Sequence, residues 1–466
     1  MTESMSPLRR LAYACGSPGF QASERTVVLI LFYFYLPPGS SDLPLLLSDS
    51  ILFGGLTAFG AAMFVGRIFD SLADPFVGLV SDRSTSRWGR RKIFMISGFV
   101  PMCLIPVAAF WPPGEPGSQL NFIWLTACLA GYFIFFTVYV APYLALQPEL
   151  ARSQDERARL AVLTSSLTMP FVSLVAFAWP WALSWGIAHG YSSTQSIRTI
   201  VVALAVAGLV LCGVAILSVD EKRFTRATRS TLSNKDALRE TVRNRPFLIY
   251  LLAQIFFMFA LNMIMPLSPY IAEVLLGRDV GFASWLGLCL FLGVIVSFVL
   301  SARIIKRFGP KRMMVGSVIL FGVALSMLAL IVPDVPGGEH DTRNVVIAFA
   351  SLALAGIPVA GFLVATNVLL GQIIDADQAT TGANRAAIFF GIQGLATKWV
   401  YGFAAAVLAY LFTQYGNSPE EPLGVWLAAP CAAVCCLVSA ALYALYPERE
   451  VLAHAQSVAP STPSLH

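Results

Sequence analysis

"FDSLADPFVGLVSDRSTSRWGRRK", residues 69 to 92, decides the reading of this chain. Its first part continues an apolar run that starts near Ile51. That run nevertheless carries Arg67, Asp70 and Asp74, and it ends in a burst of Arg and Lys. Asp70 and Asp74 are four apart, so on a helix they share a face, about 6 Å apart along the axis, with Arg67 on nearly the same face. Two carboxylates that close cannot both ionise cheaply. One must bind a proton, a metal cation or a neighbouring cationic side chain.

Composition makes the surrounding apolar run a membrane span. The chain is 57% hydrophobic and only 12% charged, with a mean hydropathy of +0.72, which excludes an ordinary soluble domain. A formal charge of +5 does not point to nucleic acid, because the cations are confined to certain loops. The first long apolar run, about Thr26 to Pro37, is not followed by a small-residue cleavage site, so no cleavable signal peptide is expected. The eight Cys lie in or beside apolar segments. Cys431, Cys435 and Cys436, the one close group, have no His or carboxylate nearby and read as ordinary buried thiols. The His residues (His189, His340, His454, His466) fall in loops or the tail, which excludes an intramembrane His relay. Neither a metal nor an organic cofactor is expected.

A span needs about 20 apolar residues. Such stretches occur near 11–36, 51–79, 93–111, 121–148, 160–185, 199–218, 247–272, 281–302, 313–333, 345–373, 386–414 and 423–446, separated by breaks such as "PPGSSD", "PPGEPGSQ" and "VPDVPGGEHDTR". With the N-terminus placed in the cytoplasm, about 25 of the 31 Lys and Arg fall in cytoplasmic loops and tails. Both termini are then expected in the cytoplasm. The basic stretch 220–246 reads as a cytoplasmic linker between an N-terminal six-helix bundle (1–219) and a C-terminal one (247–466). The halves also repeat: "RWGRRK" (87–92) follows the second span and "RFGPKR" (307–312) the eighth. The predicted fold is all-α, with twelve transmembrane helices in two pseudo-symmetric halves, the major facilitator layout. A monomer surrounded by membrane lipid is expected.

A charge at the bilayer centre costs about 2.5–3.5 kcal/mol on insertion scales, so each one needs a reason. Within the spans these are Glu24, Arg25, Arg67, Asp70, Asp74 and Lys398. Asp70 lies roughly 16 Å from the cytoplasmic end of its span, and Lys398, Thr137 and Gln21 reach a similar depth on three other spans. Four helices thus bring polar groups to one level. Glu24 and Arg25 point about 100° apart, so at most one faces a central cavity well. An enzyme would need a nucleophile–base pair, a metal cluster or a phosphate-cradling Gly loop, and the sequence offers none of these.

The stretch 69–92 resembles the second span and following loop of the glycoside–pentoside–hexuronide:cation symporters. The shared pattern is D-x-x-x-D-P-x-x-G, then S-D-R, then W-G-R-R-K. "FTVYVAPYLALQPELARSQDERARL" (136–160), "IIDADQATTGANRAAIFF" (373–390) and "ATKWVYGFAA" (396–405) are similar to three further blocks of that family. The resemblance implies a cation-coupled symporter working by alternating access. It places a cation site on Asp70, Asp74 and Thr137, with Lys398 competing for the acids. Where melibiose-carrying members hold sugar with acids on spans one and four, this chain has Gln21 and Val140, and Leu144 replaces a Trp. The span-one stretch "LAYACGSPGFQAS" is similar to the lysophospholipid-transporting branch. The expected substrate is a small glycoside, with a lysophospholipid or other amphiphile as the alternative and an uncoupled uniporter as a remoter one. Gln21, Glu24, Tyr139, Gln147 and Asn262 are the candidate substrate ligands. The coupling cation is H⁺ or Na⁺. Ala73, where the family often has Asn, removes one oxygen ligand and favours H⁺. Asp82, Arg83, Gly89, Arg90 and Arg91 are expected to form a conformational, gating loop that does not touch substrate.

Overall fold

The computed structural model describes residues 5–48, 56–150, 154–221, 235–332, 338, 340–382 and 385–456. Among these the ordered elements are all helical. The first crossing is a rod built from α1 (Pro7–Ala14), α2 (Gly16–Arg25), a π-helical turn (Thr26–Ile30) and α3 (Leu31–Tyr35). It is followed by α4 (Ala58–Arg83), α5 (Lys92–Ala109), α6 (Gln119–Leu150), α7 (Gln154–Ala188) and α8 (Ser193–Ser218). After the short α9 (Lys235–Arg243), the seventh crossing runs through α10 (Arg245–Ile264), a 3₁₀ turn (Met265–Leu267), α11 (Ser268–Tyr270) and a second π-helical turn (Ile271–Leu275). Then come α12 (Phe282–Phe308), α13 (Pro310–Leu328), α14 (Asp341–Thr381), α15 (Ala386–Tyr415), α16 (Leu423–Leu445) and α17 (Glu448–Gln456).

Nine of the described helical stretches are long and apolar enough to cross a membrane. Of the other three crossings, the first rod and α4 carry Glu24 and Arg25, and Arg67, Asp70 and Asp74, while α12 contributes the shorter apolar stretch Phe282–Ser297. The sequence placed the start of the second span at 51. The described helix begins at Ala58, where the Thr57 side chain accepts from the Gly60 N–H at 3.1 Å and caps it. Residues 49–55 lie outside the described set.

Packing repeats between the halves. In the first half α4 and α5 both pack on α6, the first rod packs on α7 and α8, and α8 also packs on α5 and α7. In the second half α12 and α13 pack on α14, the seventh crossing packs on α15 and α16, and α16 packs on α13 and α15. These are the same pairs displaced by six crossings. Among the described residues the most extensive contacts between halves are α4 with α15 and α7 with α12, and they too are related by that displacement.

The basic loops repeat in atomic detail. Gly89 sits at φ +113° and Gly309 at φ +83°, a region open to Gly and costly for other residues. In the first half Glu221, just past α8, accepts from the Arg91 and Lys92 N–H groups at 2.9 and 3.1 Å, and Lys92 Nζ donates to the Val219 carbonyl at 2.6 Å. In the second half Glu448, just past α16, accepts from the Lys311 N–H at 3.3 Å, and Lys311 Nζ donates to the Ala444 and Tyr446 carbonyls. Each acid caps a helix N-terminus, and each lysine caps the carbonyl end of the half's last span.

Gly89→Ala should therefore destabilise the protein more than Gly309→Ala. Both introduce backbone strain of about 1–3 kcal/mol. Only at Gly89 would the new Cβ also lie 2.5 Å from Glu221 Oε2; at Gly309 the nearest atom is 3.8 Å away. Thermal unfolding in detergent measures the order, and equal losses would refute the steric part.

Candidate functional site

α4 is the helix that sets the site. Pro75 sits inside it and supplies no N–H, so the Ser71 carbonyl loses its ordinary helical donor beside the two acids. The face carrying Arg67, Asp70 and Asp74 is flanked by α6 and α15. These helices deliver Thr137 and Lys398 at the level that residue counting predicted.

Asp70 is fully buried. Its Oδ1 accepts from Thr137 Oγ1 at 2.8 Å and from Lys398 Nζ at 2.7 Å, and its Oδ2 accepts from Arg67 Nη1 at 3.2 Å. Asp74 is different: its side chain is 41% exposed, and its Oδ2 meets Lys398 Nζ at 2.7 Å. Thr137 Oγ1 lies 3.3 Å from Asp74 Oδ1 as well. One hydroxyl has one proton, so the shorter distance assigns it to Asp70. Two carboxylates thus face two cations, and the formal charges cancel. Lys398 bridges both acids and, with them, the two halves.

Several partners of this cluster were not singled out from sequence. Arg67, which the sequence did set on nearly the same face as the acids, ties Asp70 along its own helix and lies over the Phe133 ring (4.3 Å) and the Tyr401 ring (5.0 Å). Gly402 leaves it room, since an added Cβ would meet Arg67 Cγ at 3.0 Å. Trp399 Nε1 donates to Ser71 Oγ at 2.8 Å across the same interface. The legible signal was position: Trp399 and Tyr401 flank Lys398 in "TKWVYG", and Ser71 follows Asp70.

The other candidates divide. Gln21 Oε1 accepts from Arg25 at 3.1 Å, and Arg25 lies 3.6 Å from Glu24, so these two neighbours pair with each other. Glu24, Arg25 and Arg67 all lie within electrostatic reach of Tyr401, and Asn262, whose Nδ2 donates to the Met258 carbonyl at 2.7 Å, lies near it. Gln21, Glu24 and Asn262 therefore form one polar group adjoining the charge cluster. Tyr139 is left out. It is fully buried, its ring 5.9 Å from that of Tyr143 and 6.5 Å from that of Phe20. Two residues on from Thr137 is about 200° around a helix, so Tyr139 shares its depth but not its face. Gln147 lies ten residues beyond Thr137 on α6, about 15 Å along the axis, which also removes it from the group.

In the basic loop, Arg90 and Arg91 reach Glu149 Oε1 at 3.0 and 2.9 Å, and Arg90 approaches Glu221 at 3.9 Å. Arg83 is exposed in the last turn of α4, where a cation suits the helix dipole. Asp82 belongs to α4, but its side chain lies outside the described residues. A second cluster at the same end joins Arg385 to Asp377 and Glu240. Outside the fully charged centre, the contacts between halves gather at the opposite end. There Tyr33 and Ser40 meet Glu273, Tyr270 Oη donates to the Leu36 carbonyl at 2.6 Å, and Asn417 Nδ2 donates to the Pro37 carbonyl at 2.9 Å.

Two six-crossing halves that repeat their contacts and meet at a buried charge cluster define a membrane transporter of the major facilitator type. The chain belongs to the MFS/sugar transport protein family, whose pattern matches residues 12–449. It is 23% identical over 437 residues to the uncharacterized symporter YnaJ of Bacillus subtilis, covering 90% of this chain and 86% of that one. It is also 23% identical over 384 residues to the glucuronide carrier protein homolog of Escherichia coli, covering 80% of each. The crystal structure of a D-xylose-proton symporter superposes with a TM-score of 0.67 at 14% identity, over 95% of this chain and 98% of that one, which shows a shared fold.

Burial ranks the two acids. Asp70→Ala should cost about 3–5 kcal/mol, because it strands a buried guanidinium. Asp74→Ala should cost under about 1 kcal/mol, because the acid is partly exposed and Lys398 keeps Asp70. The melting temperatures of the two variants in detergent check this; a reversed order would contradict the burial reading.

Proposed function

We propose that this chain is a cation-coupled symporter that moves a small glycoside-like solute by alternating access. The observation that carries the reading is Lys398, 2.7 Å from both Asp70 and Asp74. The cluster is neutral as it stands, so an entering cation must displace the lysine from at least one acid. That displacement weakens a tie between α4 and α15, which belong to different halves. Loaded and empty carriers then differ in what holds the halves together, and coupling requires such a difference.

Chemistry favours H⁺ as the cation. Na⁺ calls for several oxygens, and here the ligands at hand are two carboxylates and the Thr137 hydroxyl, with Ala73 adding none. A proton needs one base, and half-exposed Asp74 is the reachable one. The adjoining group of Gln21, Glu24, Asn262 and Tyr401, steered by Arg25, offers the hydrogen-bonding variety that a polyhydroxylated solute needs. Placing the basic loops in the cytoplasm makes the sealed end external and this conformation inward-facing. Arg90 and Arg91 then hold α5 to α6 as the halves move.

Uptake against a gradient in proteoliposomes, with pH and Na⁺ varied independently, tests the reading. Asp74→Asn should lower gradient-driven accumulation at least tenfold while exchange of substrate persists. Asn keeps volume and hydrogen bonding but cannot take up the coupling charge. Lys398→Ala removes the competitor, so exchange should outlast accumulation there too. Full accumulation by Asp74→Asn would overturn the assignment. Accumulation of a lysophospholipid in preference to any glycoside would overturn the substrate class.

A further inference from the structure

The sealed end contains a carboxyl that the central cluster does not use. Glu273 lies in the π-helical turn Ile271–Leu275, 8% exposed. Its Oε1 accepts from Tyr33 Oη at 2.7 Å, and its Oε2 lies 3.2 Å from Ser40 Oγ. Both hydroxyls belong to the other half. The first rod carries its own π-helical turn, Thr26–Ile30, which packs against Met265–Leu267 of the seventh crossing. Irregular turns of this kind concentrate where helices work.

The surroundings of Glu273 are acidic or neutral. Asp279 lies beside it and Asp42 lies near Tyr33. Tyr270 immediately precedes the same turn, and Tyr33 is backed by Trp179 of α7. Arg278, five residues on, is committed to Asp341 at 2.6 Å. The outer ends of α12 and α16, which also pack on this turn, begin with the uncharged residues Phe282–Gly287 and Leu423–Ala429. An ionised carboxylate enclosed by hydroxyls, with acids as its nearest charges, is costly to bury.

We propose that Glu273 is a second proton-binding site, distinct from Asp70 and Asp74, and that closing the end it seals takes up a proton on it. The balance is simple. The carboxylate gains H⁺ from the solution at that end, and one new O–H bond forms. Tyr33 goes on donating to Oε1, while the new O–H donates to Ser40 Oγ, whose own proton turns away. Every polar atom of the trio then has a partner. When the halves separate, Glu273 meets water, ionises and releases the proton. By linkage, acid favours the closed end, and one proton allows at most about a tenfold change in the opening equilibrium per pH unit.

Hydrogen–deuterium exchange of the full-length protein in lipid nanodiscs reads this directly, with rates corrected for the intrinsic pH dependence of exchange. Peptides covering 31–40 and 268–276 should become more protected as pH falls from 8.5 to 5.5, by up to about tenfold per unit. Glu273→Gln should remain protected across the range and lose the dependence. Asp74→Asn should keep it, which separates this site from the central pair and leaves the result independent of which cation drives transport. Tyr33→Phe, which keeps the ring packing, should weaken protection in acid while retaining a pH dependence. The proposal is overturned if wild-type protection does not vary with pH. It is overturned equally if Glu273→Gln keeps the wild-type dependence, or if Asp74→Asn alone abolishes it.

Discussion

The ammonium of Lys398 between Asp70 and Asp74 is the constraint on which the rest of the architecture depends. Putting α4 and α15 in contact brings four formal charges together at the middle of an apolar bundle, Arg67, Asp70, Asp74 and Lys398, beside the Glu24–Arg25 pair of the first rod. The four are tolerated there because they cancel at hydrogen-bonding distance and because Asp70 accepts from three donors. Remove the buried Asp70 and Arg67 is left in a medium that solvates it poorly. This is also why the cluster suits a switch. A neutral, closed network has to reorganise when a further charge enters, and its most exposed arm, Lys398 to Asp74, is the one that can give way first.

What sequence made legible was spacing and depth. The i, i+4 acids, the lysine on another span and the threonine on a third were found because charges are so few in these segments that each stands out. The repeated basic loops were found the same way. Facing failed for Tyr139, which lies on the right helix at the right depth yet turns into the first half's own core; Gln147 lies on the same helix but two turns or more toward the loop. An apolar span that is hydrophobic all round has no moment to orient it, so counting residues gives height but not facing. Glu221 and Glu448 were missed for another reason. They are ordinary acids just past a span, and they become caps only because the chain brings them back to the start of α5 and α13. The offset of 220 residues that links "RWGRRK" to "RFGPKR" does not link these two, which are 227 apart.

The halves repeat their scaffolding but not their chemistry. The helix pairs, the positive-φ glycines and the capping acids all recur. The two span-two acids have no counterparts of their kind on α12, and the lysine on α15 has no basic counterpart on α7 at the same depth. Repetition supplies two rigid bodies with matching contact surfaces. In the coupling proposed above, asymmetry at their interface decides which ions the pair responds to. The family's fold is therefore readable from the repeat, whereas its selectivity resides in the few positions that break it.

The two kinds of closure also differ in strength by design of their parts. The sealed end is held by aromatic packing among Phe32, Tyr33, Tyr270 and Phe412 and by hydrogen bonds from hydroxyl and amide donors. Each such hydrogen bond is worth about 0.5–1.5 kcal/mol net. Such contacts exchange readily for water and can be broken together when the halves rock. The salt bridges at the basic end that tie Arg90 and Arg91 to Glu149, and Arg385 to Asp377, lie within one half each. They stiffen each body without resisting the motion between bodies. Strong charge pairing is thus kept inside the moving parts, and weaker, reversible pairing lies between them. The central lysine is the exception, a charged tie between halves, and in the proposed mechanism it is the tie that a competing cation releases.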